Sequence, residues 1–175
     1  VNKRWSFHVG AIERESSREL VVNPEQTGSV GRLMLSSAGH STYREADVSV
    51  HYTRGTTADF NVSYARSQAR ADLNALTNYF DAILSPVVGA NAFAPAASDV
   101  PHRLLARGRL MPTPRWLLLG TLDWRSGLPY SVVDGALDSV GSRNSLRFPT
   151  YARLEAGIER RFQILKLQPW IGVRV

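Results

Sequence analysis

Polar and apolar residues alternate along much of the chain with a period of two. Between Glu45 and Arg54, Ala46, Val48, Val50 and Tyr52 share one face while Asp47, Ser49, His51 and Thr53 share the other, the pattern of a half-buried strand. A short Arg54-Gly55-Thr56-Thr57 stretch leads into Ala58 to Arg66, where Phe60, Val62 and Tyr64 alternate with Asn61, Ser63 and Ala65. The two segments predict a hairpin. From His102 to Leu110, Leu104, Ala106, Gly108 and Leu110 oppose Arg103, Leu105, Arg107 and Arg109. The chain then turns through Met111-Pro112-Thr113-Pro114 into a return strand carrying Trp116, Leu118, Gly120, Leu122 and Trp124 on one face. The other face of that strand is mixed, with Leu117 and Leu119 beside Thr121, Asp123 and Arg125. A third hairpin runs from Tyr151 to Phe162, where Leu154, Ala156 and Ile158 oppose Arg153, Glu155, Gly157 and Glu159, and resumes after Gln163 with Leu165, Leu167, Ile171 and Val173. At the front, Trp5, Phe7, Val9 and Ala11 alternate with Ser6, His8 and Gly10.

These segments predict an all-β, antiparallel fold of about seven strands. Tight turns fall near residues 54–57, 111–115 and 163–165, whereas the connections at roughly 16–43, 68–101 and 127–148 are long and rich in Gly, Ser, Asn, Pro and Ala. Antiparallel neighbours reverse direction, so all the short turns lie at one end of the sheet and all the long connections at the other.

Soluble sandwiches alternate too. A transmembrane barrel differs in having an outward apolar band, aromatic girdles at its edges, short turns on one side and long loops on the other. Trp116 and Trp124 are eight residues apart, or ~26 Å along a strand, and a tilt of ~40° reduces this to ~20 Å of height, near the ~25 Å apolar band. Tyr52 and Phe60 flank one short turn, and Trp116 and Phe162 sit beside the other two. On the opposite parity, Arg103, Arg107, Arg109, Asp123, Arg125, Arg153, Glu155 and Glu159 would project into a wet lumen, where charge is tolerated. An odd set of about seven strands cannot close such a barrel, and open edges in hydrocarbon leave backbone groups unsatisfied. The missing strands are therefore expected outside this stretch. Both ends, Val1-Asn2-Lys3-Arg4-Trp5 and Val173-Arg174-Val175, fall in mid-pattern, as expected of a piece of one barrel domain truncated at both ends.

Composition narrows the classes. Hydrophobic residues make up 43% and charged residues 21%, which fits neither a disordered chain nor a helical membrane bundle, and no apolar run approaches the ~20 residues of a spanning helix. There is no cysteine, hence no disulfide and no thiolate chemistry. The net charge of +6 raises nucleic acid or acidic lipid as a partner. Of the 21 basic residues 19 are arginine, but they are dispersed among carboxylates rather than clustered, which argues against nucleic acid.

The stretches Leu35-Ser36-Ser37-Ala38-Gly39 with Tyr43-Arg44, Asp99-Val100-Pro101-His102-Arg103, Arg125-Ser126-Gly127-Leu128-Pro129-Tyr130-Ser131, Ser142-Arg143-Asn144, and Arg147-Phe148-Pro149-Thr150-Tyr151 leading to Arg160-Arg161-Phe162 carry a further signal in their order and spacing. From about Leu35 through Phe162 the chain resembles the barrel of TonB-dependent outer-membrane receptors, most of all the group with an N-terminal carboxypeptidase-regulatory-like domain before the plug. The resemblance implies a barrel of about 22 strands in the bacterial outer membrane, occluded by a plug domain of the same chain. Outer-membrane lipid surrounds such a barrel. It imports a nutrient ligand with energy delivered by the TonB complex through the N-terminal part.

Candidate chemistry is sparse. The four histidines, His8, His40, His51 and His102, lack zinc-motif spacing, and neither metal nor cofactor is expected. Asp99 and His102 lie close in sequence, as an outer-membrane hydrolase would need, yet Pro101 separates them and no nucleophile elbow is present; no catalytic residue is assigned. The Arg125-to-Tyr130 stretch has one glycine and no following helix to cradle a phosphate. Tyr79, Phe80, Asn91 and Phe93 lie in the loop from Ala71 to Val100, with a helical turn expected around Leu73 to Leu84; they would contact a ligand or pack the loop cap. Besides the receptor, a passive porin, an outer-membrane hydrolase and a soluble β-sandwich binding module stay open.

Overall fold

All but the start of the last alternating segment form strands in the computed structural model, which describes residues 4–27, 29–74, 91–135, 140–165 and 167–175, excluding the side chains of 26 and 27. In chain order the strands are β1 (Trp5–Thr27), β2 (Val30–Arg54), β3 (Ala58–Asp72), β4 (Phe93–Pro95), β5 (His102–Thr113), β6 (Trp116–Arg125), β7 (Pro129–Tyr130), β8 (Leu146–Arg147), β9 (Tyr151–Arg161) and β10 (Trp170–Arg174). Seven of them make one antiparallel sheet in the order β1-β2-β3-β5-β6-β9-β10, with β4 added on the end of β3 and β7-β8 pairing separately. The sheet is open: β1 and β10 each pair with one neighbour among the described residues.

The register fixes which side chains share a face, because directly opposed residues in an antiparallel pair point the same way. One row runs Phe7, Val50, Val62, Ala106, Leu122, Leu154. The next runs Val9, Val48, Tyr64, Leu104, Trp124, Ala152. Rows of Trp5, Tyr52, Phe60, Gly108, Gly120, Ala156 and of Ala58, Leu110, Leu118, Ile158, Val173 complete an apolar face that crosses the sheet. The intervening rows are polar, such as Ser6, His51, Asn61, Arg107, Thr121, Glu155.

Nothing described covers the apolar face. Phe7, Val9, Trp5 and Leu154 are 71%, 78%, 59% and 72% exposed, and among the described residues the buried apolar ones are Val21, Val22, Ala58, Ala94 and Leu117. The accessible surface is 12899 Å², against about 8,500 Å² expected of a folded monomer of this mass. The described residues therefore enclose no hydrophobic core of their own.

Aromatic residues mark both ends of the band. Near the short turns, Trp5 and Tyr52 rings lie 4.6 Å apart and Tyr52 and Phe60 6.4 Å apart, and Arg160 lies over both Trp116 (5.1 Å) and Phe162 (5.0 Å). At the other end, Tyr64 and Trp124 share a row, and the Tyr64 hydroxyl is 2.6 Å from His102 Nδ1.

Three expectations need correction. Residues 16–43 are not a loop: β1 and β2 pair through most of this stretch and close at the Thr27–Val30 pair. The strict alternation is lost there because register shifts flank Glu19 and Arg18 has φ 60°, a bulge that slips the two-residue period. Residues 68–101 are not wholly a loop either, since β3 continues to Asp72 and β4 pairs with it. Likewise, Leu165 and Leu167 are not part of the last strand. Ile164 and Leu167 bridge to each other, Leu165 takes φ 56°, and β10 starts only at Trp170. Of the helical turn expected over 73–84, Leu73 and Asn74 form a bend and the remainder lies outside the described residues.

Candidate functional site

Two regions carry the polar chemistry: the face opposite the apolar band, and a cap built by the long connections. All eight charged residues singled out by parity fall on that polar face. Arg103 and Arg125 are directly opposed, as are Asp123 and Arg153, while Arg107, Thr121 and Glu155 share a row. Arg109 lies between Asp59 and Leu119, and Glu159 opposite Leu117 and Gly172. A hollow of about 470 Å³ is sunk into this face, bordered by Asp59, Arg107, Arg109, Thr121, Glu155 and Arg174. The sheet is thus hollowed on its charged side and exposed on its apolar side, the reverse of a soluble barrel or sandwich, whose interior is apolar.

Charges on this face are interleaved. Arg153 pairs with Glu155, and Arg174 with Glu159 at 3.1 Å. His51 lies 3.0 Å from Asp59, and Arg125 sits 4.5 Å from the Tyr151 ring centroid. Arg103, Arg107 and Arg109 have no ion-pair partner among the described residues. One carboxylate oxygen of Asp123 is buried without a hydrogen-bond partner among the described residues.

Sequence reasoning missed the polar contacts that tie the cap. Asp99, 3% exposed, accepts hydrogen bonds from the Ala69 amide (2.5 Å) and the Arg147 guanidinium. Arg147 also donates to the carbonyls of Asp99 (3.0 Å) and Gly127 (3.2 Å). Asn144, with φ 52°, donates its side-chain amide to Pro95 O (2.8 Å) and its backbone amide to Ser131 Oγ (2.8 Å). Arg143 reaches Asn74 Oδ1 at 2.9 Å. Asp72 accepts from the His40 amide (2.6 Å) and from Asn91 (2.8 Å), and lies 2.9 Å from His40 Nδ1. The three long connections are thereby tied together. Four of the stretches that carry the sequence resemblance meet here, so their order along the chain is the order of an interlock.

Gly127 is held where a side chain cannot go: a Cβ would overlap the Phe148 carbonyl. Gly127→Ala should destabilise by about 2 kcal/mol, because the obstacle is backbone. A lowered urea midpoint would register it; an unchanged midpoint would contradict this packing.

Of the candidate ligand residues, Tyr79 and Phe80 lie outside the described residues. The Asn91 side chain is engaged by Asp72 and by the Asn74 amide (3.3 Å). Phe93 is stacked on His40 at 4.2 Å, with Arg70 4.9 Å from its ring. Asp99 and His102 each bond elsewhere, to Arg147 and to Tyr64. No group of three or more potential metal ligands occurs among the described residues. Set against known proteins, the chain matches no family model, no curated protein and no solved structure.

Proposed function

We propose that this chain forms part of the wall of a transmembrane β-barrel in a bacterial outer membrane, of the TonB-dependent receptor type, through which a nutrient ligand is taken up. The observation that carries the reading is the apolar face: seven strands present continuous hydrophobic rows that no other part of the described chain covers. Hydrocarbon satisfies such a surface, and the hydrogen-bonded sheet satisfies the backbone between its edges. Further strands pair with the free edges of β1 and β10 to close the wall. The charged face with its hollow then faces the lumen, where Arg103, Arg107 and Arg109 meet water or acidic groups of the plug. The cap tied by Asp99 and Arg147 stands on the long-loop, exterior side, and the short turns face the periplasm and TonB.

The full-length protein in a planar bilayer distinguishes the receptor from the passive porin. A plugged receptor passes no steady ion current at rest, and in detergent it binds the periplasmic domain of TonB. A stable open conductance without TonB binding would replace the receptor reading with the porin.

A further inference from the structure

We infer that the long-loop rim of the apolar face holds an anionic, phosphate-bearing lipid headgroup, gripped by Arg66 together with Arg44. The inference rests on the membrane reading above. Directly beyond the Val48, Tyr64, Leu104, Trp124 row, the same face changes character, with rows of Ala11, Ala46, Arg66, His102 and of Glu13, Arg44, Gln68. Arg66 is exposed and has no ion-pair partner among the described residues. Arg44 is the diagonal neighbour of Arg66 across β2 and β3, within reach of one shared ligand.

A hollow of about 650 Å³ opens at this rim, bordered by Arg44, Arg66, Arg70 and Arg147. Its two carboxylates, Glu45 and Asp99, already accept from the Tyr43 hydroxyl and from Arg147. Arg147 is held by Asp99, and Arg70 by the Phe93 carbonyl and ring, so the cationic groups left to this rim are Arg66 and Arg44. The Arg44 pair with Glu13, 2.7 Å long, is about two-thirds exposed on both sides, so it competes weakly with a phosphate.

Position supplies the choice of ligand. Arg66 stands one row and Arg44 two rows past the Tyr64 and Trp124 ring level, where an outward side chain reaches the headgroup layer while its stem lies along the band. At the short-turn rim, by contrast, Arg160 is laid over Trp116 and Phe162 and is occupied by those rings. A bound anionic lipid at the upper rim would lock the barrel's orientation and brace the base of the long β1-β2 hairpin.

The test places a fluorophore on Val48→Cys, one row below Arg66, in the full-length protein reconstituted in phosphatidylcholine vesicles. Quenching by a trace of brominated phosphatidylglycerol is compared with quenching by the same amount of brominated phosphatidylcholine. Stronger quenching by the anionic lipid is expected, with local enrichment falling roughly five-fold per arginine in Arg66→Gln and in Arg66→Gln/Arg44→Gln. Quenching by brominated phosphatidylcholine should persist in both variants, which reports that the strand is still inserted. Equal quenching by the two lipids, or enrichment that survives the double substitution, overturns the lipid site and leaves the barrel standing. Absence of quenching by either lipid overturns both.

Discussion

Val62→Arg should cost the folded full-length protein about 2–4 kcal/mol in a bilayer, the range for an arginine facing the membrane midplane, whereas Ser63→Arg should cost within about 0.5 kcal/mol. The two residues are neighbours on β3 and differ chiefly in parity. Val62 lies in the apolar row between Val50 and Ala106 and is 43% exposed, so on the proposed reading its exposed part faces hydrocarbon. Ser63 lies in the polar row between Ser49 and Leu105. Denaturant titration of refolding into vesicles gives both numbers. Equal costs, or a larger cost at Ser63, would mean the faces are reversed.

Arg147→Met is the second large effect, at about 3 kcal/mol. Removing one partner of a buried pair leaves the other charge unpaired, a loss of roughly 3–5 kcal/mol; the lower end applies because the Arg147 side chain is 32% exposed while that of Asp99 is 3% exposed. The substitution also removes donors from the Asp99 and Gly127 carbonyls. Asp99→Asn, which keeps an acceptor for the Ala69 amide, should cost less. The damage should be local: faster hydrogen exchange and proteolysis across residues 91–101 and 126–150, with β5 and β6 unchanged. Uniform protection in the variant would show that the cap stands without this pair.

Strand identity and facing were legible wherever one face is apolar. From Glu45 to Arg66 and from Arg103 to Trp124, two-residue periodicity identifies both the strands and the rows they later form, because nothing but the pleat decides which side chains share a face. The turn at Gly55, with φ 53°, was equally plain, since glycine accepts that conformation freely. Legibility failed above the band. In Ser16, Ser17 and Ser36 to Ser41, composition ceases to alternate although the two strands still pair through this region. The cap was illegible for a different reason. Asp99 and Arg147 are 48 residues apart, and a polar pair leaves no periodic trace; only turn-formers such as Gly127 and Asn144 hinted that these segments had fixed shapes.

The most direct test of the membrane account is a parity scan of single nitroxide labels in the full-length protein reconstituted in lipid. One set occupies Val48, Val50, Leu118 and Leu122, and the other Ser49, His51, Asp123 and Glu155. The account predicts relaxation by a lipid-soluble paramagnetic reagent at the first set and by a water-soluble one at the second. If the lipid-soluble reagent instead reaches the second set, or neither, the apolar rows do not face hydrocarbon.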